Sequence, residues 1–375
     1  MASSTFDPWQ IAYVLGMQAG GAQGQQGDPS TLAELLANKL DSFYGQAQTI
    51  SALGQWSTAW GPAIFEETPS TSSYADNAMY VAVSADRSMY VVCIAGTNAD
   101  STYDKNVEDE DVNNMSSWRQ AFGGTAPDNL KPCVSVGTED GVNALFGMKD
   151  PNSGQSLAAF LGSIQSTTST LIFSGHSLGA ALAPIFALAL FDPSLNSLSK
   201  SDWSAVYTYP TAGPTPGNGD LSTFFSLVFG ASVPQSQPYQ VWNKNIWNSL
   251  DVVPHAWNIE TLGEITNLYP APWTQNPPVS PPPKELSNAV AYAKHLSNQG
   301  AKVGGPYTML PNQELTGTFN TNIPVSDVSS FEQQALYQHI TAYYDLLNVQ
   351  AFAPAANASA FAPAVKALLT GKNSS

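Results

Sequence analysis

One short segment, residues 171–183, most constrains what this chain can fold into. It begins with the apolar run Leu171-Ile172-Phe173, continues as Gly175-His176-Ser177-Leu178-Gly179, and then turns into small and aliphatic residues. This order is typical of a nucleophile elbow, in which a serine stands on a sharp turn between a strand and a helix. Ser177 is therefore the candidate nucleophile. The N–H of Leu178, at the start of the helix, is placed to stabilise negative charge that develops on a carbonyl oxygen.

The pattern gains its weight from its context. A bare Gly-x-Ser-x-Gly arises by chance in roughly one protein of this size in ten, so the letters alone are weak. Here Gly175 and Gly179 flank the serine, where a Cβ would collide with the neighbouring strand or helix. Strand-forming residues precede the motif and helix-forming residues follow it. Pro184 should kink or tighten the helix, because its missing N–H leaves the carbonyl of Ala180 without a partner.

The segment from Gly175 to Ala183 resembles the elbow of the class 3, fungal-type triacylglycerol lipases, although Ala180 stands where that family usually has a second glycine. The resemblance covers roughly residues 75–345. It implies an α/β-hydrolase fold with a mostly parallel central sheet, flanking helices, and loop or helix insertions over the active site. It also implies a Ser-Asp-His triad and neither a cofactor nor a metal.

The resemblance also points to the acid of such a triad. The sequence Asn248-Ser249-Leu250-Asp251-Val252-Val253-Pro254 is similar to the family's Asn-x-x-Asp-x-Val-Pro segment. Asp251 is therefore the predicted acid, a carboxylate that orients an imidazole and stabilises its charged form. Asp220 and Glu260 are the alternatives.

The candidate base lies near the end of the chain. His339-Ile340-Thr341-Ala342-Tyr343 resembles the family's His-x-x-x-Tyr ending, and His339 follows the serine and the acid in the order of α/β-hydrolases. His295 and His255 are the alternatives. His176 lies inside the elbow and is expected to point away from the serine beside it.

A second oxyanion donor is implied at the end of an earlier strand. The family has Arg-Gly-Ser or Arg-Gly-Thr there, and Gly96-Thr97 is similar, with Ala95 in place of the arginine. Thr97 offers both its N–H and its hydroxyl. The resemblance therefore implies an oxyanion hole formed by Thr97 and Leu178.

Charge and hydropathy exclude several classes of partner. The formal net charge is −16, so nucleic acid and anionic membrane surfaces are poor partners. No run of 18 apolar residues is present, so we expect no transmembrane segment. The N-terminus shows no secretory signal. This favours a cytoplasmic protein or leaderless export, or else secretion with the signal already removed. The sequence gives no indication of the oligomeric state.

The order of predicted elements indicates βαβ units and a parallel sheet with right-handed crossovers. The strand at 133–137, the helices around 144–146 and at 157–164, and the elbow strand carry this argument. Two cysteines, Cys93 and Cys133, are too few for a disulfide framework or a zinc site, and whether they pair is left open.

Residues 1–375 are predicted to form a single domain with three special segments. Residues 99–124 follow the predicted oxyanion residue, where the family has its lid, and combine an acidic half with Met115, Trp118 and Phe122. Their carboxylates fit no calcium-loop spacing. Residues 262–324 are predicted to be a cap-like insertion. Residues 350–375 form an Ala/Pro-rich tail.

Together these features predict a serine hydrolase that cleaves the carboxylic ester bonds of lipids through an acyl-enzyme intermediate. A carboxylesterase, a feruloyl esterase or a polyester depolymerase would use the same triad. A non-catalytic binding protein on a hydrolase scaffold is the alternative from another class, and intact serine, acid and histidine candidates argue against it.

Overall fold

The computed structural model describes residues 5–98, 100–101, 103, 111–164, 168–195, 197–230 and 232–354. The strands are β1 (Trp56–Phe65), β2 (Asn77–Ser84), β3 (Met89–Ile94), β4 (Met115–Ser117), β5 (Cys133–Ser135), β6 (Thr170–His176), β7 (Ala205–Thr211), β8 (Asn245–Asn248) and β9 (Asn312–Leu315). The α-helices are α1 (Pro8–Gln18), α2 (Pro29–Gly45), α3 (Ala47–Leu53), α4 (Trp118–Phe122), α5 (Val136–Gly147), α6 (Leu157–Ser163), α7 (Leu178–Leu190), α8 (Gly219–Phe229), α9 (Ile259–Leu262), α10 (Lys284–Gly304), α11 (Val328–Leu336) and α12 (Ala342–Leu346).

A seven-stranded sheet in the order β1-β2-β3-β6-β7-β8-β9 organises the described residues. The first two pairings are antiparallel, and every pairing from β3 to β9 is parallel. The carboxyl ends of the parallel strands therefore meet at one edge of the sheet, which is where ligands bind in α/β proteins. The predicted class, a mostly parallel sheet flanked by helices, is what the structure shows.

Two hydrophobic cores cover the two faces of this sheet. Alternate residues of each strand point to opposite faces. In β3, Val91 and Cys93 join the core formed with α1, α2 and the C-terminal helices, whereas Val92 and Ile94 join the core formed with α5, α7 and α8. A third core lies among residues 252–335 and packs against Val112 and Met115.

Helix α1 is fastened to the strand that leads into the elbow. Asp7 caps the helix, with Pro8 at its first position. The Ser174 hydroxyl of β6 donates to the carbonyl of Ala12 at 2.8 Å, and the Tyr80 hydroxyl donates to the carbonyl of Leu15 at 2.6 Å. The N-terminal helix is therefore positioned beside the motif that dominates the sequence.

The structure corrects two predictions about the strands. The strand predicted at 133–137 does not enter the main sheet: β5 pairs with β4 in a separate two-stranded sheet, and β3 pairs directly with β6. Residues 262–324 are not an insertion throughout, because β9 forms the edge of the main sheet beside β8. In addition, α7 continues through Pro184 as one helix.

Trp118, expected on the apolar side of a lid, is a buried core residue instead. Its indole Nε1 donates to Asp192 at 2.7 Å, and its ring packs against Phe122 and Phe224. The acidic part of the segment, residues 104–110, lies outside the described residues, as does the tail from 355 onward.

Cys93 and Cys133 are both free thiols, and Cys93 is buried in β3. No helix in the described ranges combines the length and hydropathy needed to cross a bilayer.

Candidate active site

The elbow holds Ser177 in a conformation that is rare for a residue with a side chain. Its φ is +59° and its ψ is −127°. The turn is tight enough that a Cβ on Gly175 would overlap the carbonyl of Gly179, and a Cβ on Gly179 would lie 2.6 Å from the carbonyl oxygen of Ala95. The two glycines thus allow strand, turn and helix to meet at this point, and backbone strain is kept at the candidate nucleophile.

The structure brings Ser177, His339 and Asp251 together in one buried chain of hydrogen bonds. The Ser177 Oγ lies 2.9 Å from His339 Nε2. The other ring nitrogen, Nδ1, lies 2.9 and 3.0 Å from the two carboxylate oxygens of Asp251. The three side chains come from the end of β6, the loop after β8 and the C-terminal helical segment. This is the contact pattern of a nucleophile, a base and an orienting acid.

The carboxylate of Asp251 is held on several sides. Its residue is fully buried. Oδ1 accepts the N–H of Val253 at 3.0 Å, and Oδ2 accepts the hydroxyl of Tyr343 at 2.8 Å. Donors of this kind compensate the cost of burying a charge and fix the direction in which the oxygens face His339.

The helical segment that carries His339 changes its hydrogen bonding at this residue. Residues 337–341 form a π-helical turn, in which the N–H of Ala342 bonds to the carbonyl of Tyr337. π-Turns inside α-helices occur frequently at functional sites. The side chain of Asn248 donates to the Gln338 carbonyl at 2.9 Å, which ties this turn to the end of β8.

The predicted oxyanion residues lie against the elbow. Leu178 is the first residue of α7, so its N–H has no acceptor within the helix. Thr97 follows Gly96, where a Cβ would lie only 2.7 Å from the carbonyl oxygen of His176. Gly96 therefore allows the end of β3 to approach the elbow, and Thr97 is buried in the wall of the same cavity as Ser177.

This cavity is small. Its open space is about 20 Å³, which is room for about one water molecule. The described residues that line it are Gly16, Met17, Gly20, Gln23, Gly96, Thr97, His176, Ser177, His339 and Ile340. The side-chain amide of Gln23 donates to the carbonyls of Gly96 at 2.7 Å and Thr97 at 3.2 Å. At this volume the cavity is too small to hold an acyl chain.

Sequence reasoning missed the contribution of the N-terminal segment to this wall. No motif marks Gly16, Met17 or Gln23 as part of a site. The capped helix start at Asp7 and Pro8 predicts the helix but not its neighbours, because the contact joins residues far apart in the chain.

The alternative acid and base candidates lie elsewhere. Asp220 accepts the N–H of Lys131, and Glu260 is exposed. His255 is buried, and its Nδ1 lies 3.1 Å from the carbonyl of Thr261, while His295 is exposed on α10. Among the alternatives that the sequence left open, the structure joins Asp251 and His339 to Ser177.

His176 is buried, and it remains neutral. Burial holds its pKa well below the ordinary value and the nearby His339 lowers the pKa further, whereas the hydrogen bond to the backbone of His339 acts in the opposite direction. As expected from the sequence, its ring is bonded away from Ser177, to Thr211 and to the His339 carbonyl.

No group of three or more His, Cys, Asp or Glu side chains in the described part of the chain could hold a metal ion.

Comparison with known proteins bears on the family and on the fold. Residues 91–261 match the family model described as Lipase (class 3), which confirms the resemblance found in the sequence. The matched segment contains Thr97, Ser177 and Asp251, and His339 lies outside it. No curated protein sequence matches the chain.

Solved structures show the fold. The crystal structure of M37 lipase superposes with a TM-score of 0.72 at 24% sequence identity, covering 93% of this chain and 94% of that chain. This match confirms the α/β-hydrolase fold. Two more distant structures are also similar. The Rhizomucor miehei lipase propeptide complex has a TM-score of 0.40 at 14% identity over 68% of this chain and 65% of its own. Lipase II from Rhizopus niveus has a TM-score of 0.42 at 15% identity over 68% and 78%.

Proposed function

We propose that this chain, which matches the class 3 lipase model over residues 91–261, is a serine hydrolase that cleaves the carboxylic ester bonds of lipids. The observation that carries the proposal is the continuous, buried hydrogen-bond chain from Ser177 through His339 to Asp251. The match to the lipase model supports the reaction class, a carboxylic ester hydrolase. The geometry supports the roles that we propose for the individual residues.

In the first half of the reaction, the Oγ of Ser177 attacks the ester carbonyl. His339 Nε2, 2.9 Å away, takes the hydroxyl proton. Nδ1 keeps its own proton and donates it in a hydrogen bond to the carboxylate of Asp251. The carbonyl oxygen becomes an oxyanion, which the N–H groups of Thr97 and Leu178 stabilise. When the bond to the alkoxy oxygen breaks, His339 returns the proton to that oxygen. An alcohol leaves and an acyl-enzyme on Ser177 remains.

In the second half, water replaces the alcohol. His339 takes one proton from the water as its oxygen attacks the acyl carbon, and the same oxyanion donors serve the second tetrahedral intermediate. Collapse of this intermediate breaks the bond to Ser177 Oγ, which regains its proton from His339. The products are a carboxylic acid and the free enzyme. Asp251 holds the imidazole in one tautomer and stabilises its charged form.

A lipid substrate also fits the small volume of the cavity if its wall opens when a water-insoluble ester binds, and we propose that it does. We propose that residues 99–124 act as the lid, without a contribution from Trp118, because this side chain is buried in the core. Most of the acidic half of the lid lies outside the described residues.

The test combines labelling with a series of p-nitrophenyl esters. An organophosphonate should attach once per chain, at Ser177, and Ser177→Ala should lose both labelling and turnover while it stays folded. Ser297→Ala is the matched control, since this buried serine donates to the carbonyl of Trp257 and does not line the Ser177 cavity in the described part of the chain. A chain that neither hydrolyses any ester nor reacts with the phosphonate would be a binding protein. A strong preference for acetate would make it a carboxylesterase.

A further inference from the structure

His176 sits next to the candidate nucleophile, yet the proposed reaction gives it no role. It is buried, and each of its ring nitrogens lies within hydrogen-bond distance of one oxygen atom of the described residues. Nδ1 lies 3.0 Å from the hydroxyl of Thr211, and Nε2 lies 2.8 Å from the backbone carbonyl oxygen of His339. Its ring centroid is 4.9 Å from that of His339. The histidine of the elbow is thus bonded to the backbone of the proposed base.

The neighbours fix which nitrogen of His176 carries the proton. A carbonyl oxygen can only accept, so Nε2 must be the donor. Because the buried ring is neutral, Nδ1 then has no proton and accepts from the Thr211 hydroxyl. That hydroxyl also lies 3.3 Å from the carbonyl of Gly175, a longer contact that it gives up when it donates to the ring. The resulting chain runs from Thr211 through His176 to His339.

The hydrogen bond from His176 reaches His339 within the π-helical turn at residues 337–341. In the π-turn at 337–341, the carbonyl of Gln338 accepts from Asn248, and the carbonyl of His339 accepts from His176. Both carbonyls are held from the side by residues at strand ends. The orientation of the His339 backbone is therefore set by side chains of the sheet as well as by its own helix.

We propose that His176 is a positioning residue: it is held by Thr211 as the tautomer protonated at Nε2, and it fixes the backbone of His339 so that the imidazole meets both Ser177 and Asp251. This rests on the proposed function for the role of His339. A displacement of a reacting group by about 1 Å can cost on the order of 100-fold in rate. Loss of this bond should therefore lower kcat and leave KM nearly unchanged.

The first test removes only the hydroxyl that sets the tautomer. Thr211→Val keeps the shape of the side chain, and Thr211→Ser keeps the hydroxyl. Thr208→Val is the matched control, because Thr208 lies on the same strand, is fully buried, and its hydroxyl has no hydrogen-bond partner among the described residues. We expect Thr211→Val to lower kcat by roughly ten- to a hundredfold. Thr211→Ser should retain most of the rate, and Thr208→Val all of it.

The second test acts on the donor itself. His176→Gln can place an amide N–H near the position of Nε2, whereas His176→Met has similar length and no donor. The expected result is a partial rescue of kcat by glutamine relative to methionine, at similar thermal stability. If His176 were purely structural, the kcat values of the two variants would follow their thermal stabilities. If His176→Met does not fold, the comparison of Thr211→Val with Thr211→Ser still tests the positioning role.

A spectroscopic readout separates this inference from the proposed function. The Nδ1 proton of His339, bonded to the Asp251 carboxylate, should give a strongly downfield NMR signal in wild type. This signal should shift or broaden in Thr211→Val and stay unchanged in Thr208→Val. Absence of ester hydrolysis in wild type would overturn the proposed function but leave this signal to test the positioning. An unchanged signal together with an unchanged kcat in Thr211→Val would overturn the positioning role.

Discussion

The hydroxyl of Tyr343 donates to Oδ2 of Asp251 at 2.8 Å, joining the helix that follows the proposed base to the loop that carries the proposed acid. The hydroxyl oxygen of Tyr343 also accepts the N–H of Asn248 at 3.0 Å. Tyr343 is fully buried, and burial raises the pKa of its hydroxyl well above the usual value, so the hydroxyl stays protonated and donates. One side chain therefore ties the end of β8, the acid and the C-terminal helix together.

We predict that Tyr343→Phe loses both stability and rate. The change leaves the N–H of Asn248 without this acceptor and removes one donor from a buried carboxylate, at a cost of about 1–3 kcal/mol in the free energy of unfolding. The carboxylate becomes less firmly oriented, so we expect kcat to fall by roughly tenfold. Urea unfolding and initial rates measure the two effects.

Tyr307→Phe is the matched control for this prediction. Its hydroxyl is also buried and donates to the carbonyl of Val112 at 2.8 Å, in a part of the core that does not line the Ser177 cavity. It should lose a comparable amount of stability and keep its kcat. Equal losses of kcat in the two variants would contradict a specific role for Tyr343.

We predict that Asp251→Asn abolishes most of the activity without unfolding the protein. The amide can still accept the N–H of Val253, but its NH₂ group cannot accept the Nδ1 proton of His339. The imidazole then adopts the wrong tautomer, and kcat should fall by about 10⁴-fold. Asp192→Asn is the control, since this buried carboxylate bonds to Trp118 and Ser194. It should lose stability and retain its rate.

We predict that stability falls as the pH is lowered below about 6.5, the ordinary pKa of histidine. Burial lowers the pKa of both His176 and His255 in the folded state. The unfolded chain therefore binds protons that the folded chain does not. This contribution is complete above the unfolded pKa and is lost as the pH falls towards the lower folded pKa. Each histidine contributes a slope of at most about 1.4 kcal/mol per pH unit.

The variant His255→Asn isolates one of these groups. Asparagine can replace Nδ1 as a donor to the carbonyl of Thr261 without titrating. The carboxyl groups are common to both proteins, so the difference in unfolding free energy between pH 7.5 and 5.5 reports His255 alone. We expect the smaller pH dependence in the variant. Identical pH dependence in the two proteins would show that His255 is not held neutral.

The local parts of the site were predictable from sequence, whereas its surroundings were not. The elbow is fixed by neighbouring residues: the conformation of Ser177 and the contact between Gly175 and Gly179 both arise within five positions. The contact of Ser174 with Ala12 joins residues 162 apart, and nothing in either local sequence specifies the other. For this reason the sequence could not predict that the N-terminal segment forms part of the cavity wall.

The strand errors have a similar physical origin. β9 reads Asn-Gln-Glu-Leu, which lacks the apolar alternation expected of a sheet strand, and it is tolerated because it lies at the edge. In β1 the pairing register shifts around Trp60, so this strand shows no clean period of two. The strand at β5 was found correctly, but local pattern cannot tell which sheet a strand joins.

The last prediction concerns how substrate reaches Ser177. The cavity of about 20 Å³ holds no acyl chain, and Gln23 fastens its wall with two hydrogen bonds to Gly96 and Thr97. Each such bond contributes about 0.5–1.5 kcal/mol, so Gln23→Leu should raise the population of open molecules by roughly tenfold. For a medium-chain ester, the wild-type rate should rise steeply at the solubility limit. The variant should already be faster below that limit and show a smaller rise. Gln26→Leu, which loses a similar bond to Ser72 on the exposed surface, should behave as wild type. A simple saturating curve in wild type, with acetate preferred over octanoate, would contradict a closed lipase site, because it would show that short esters enter without any opening.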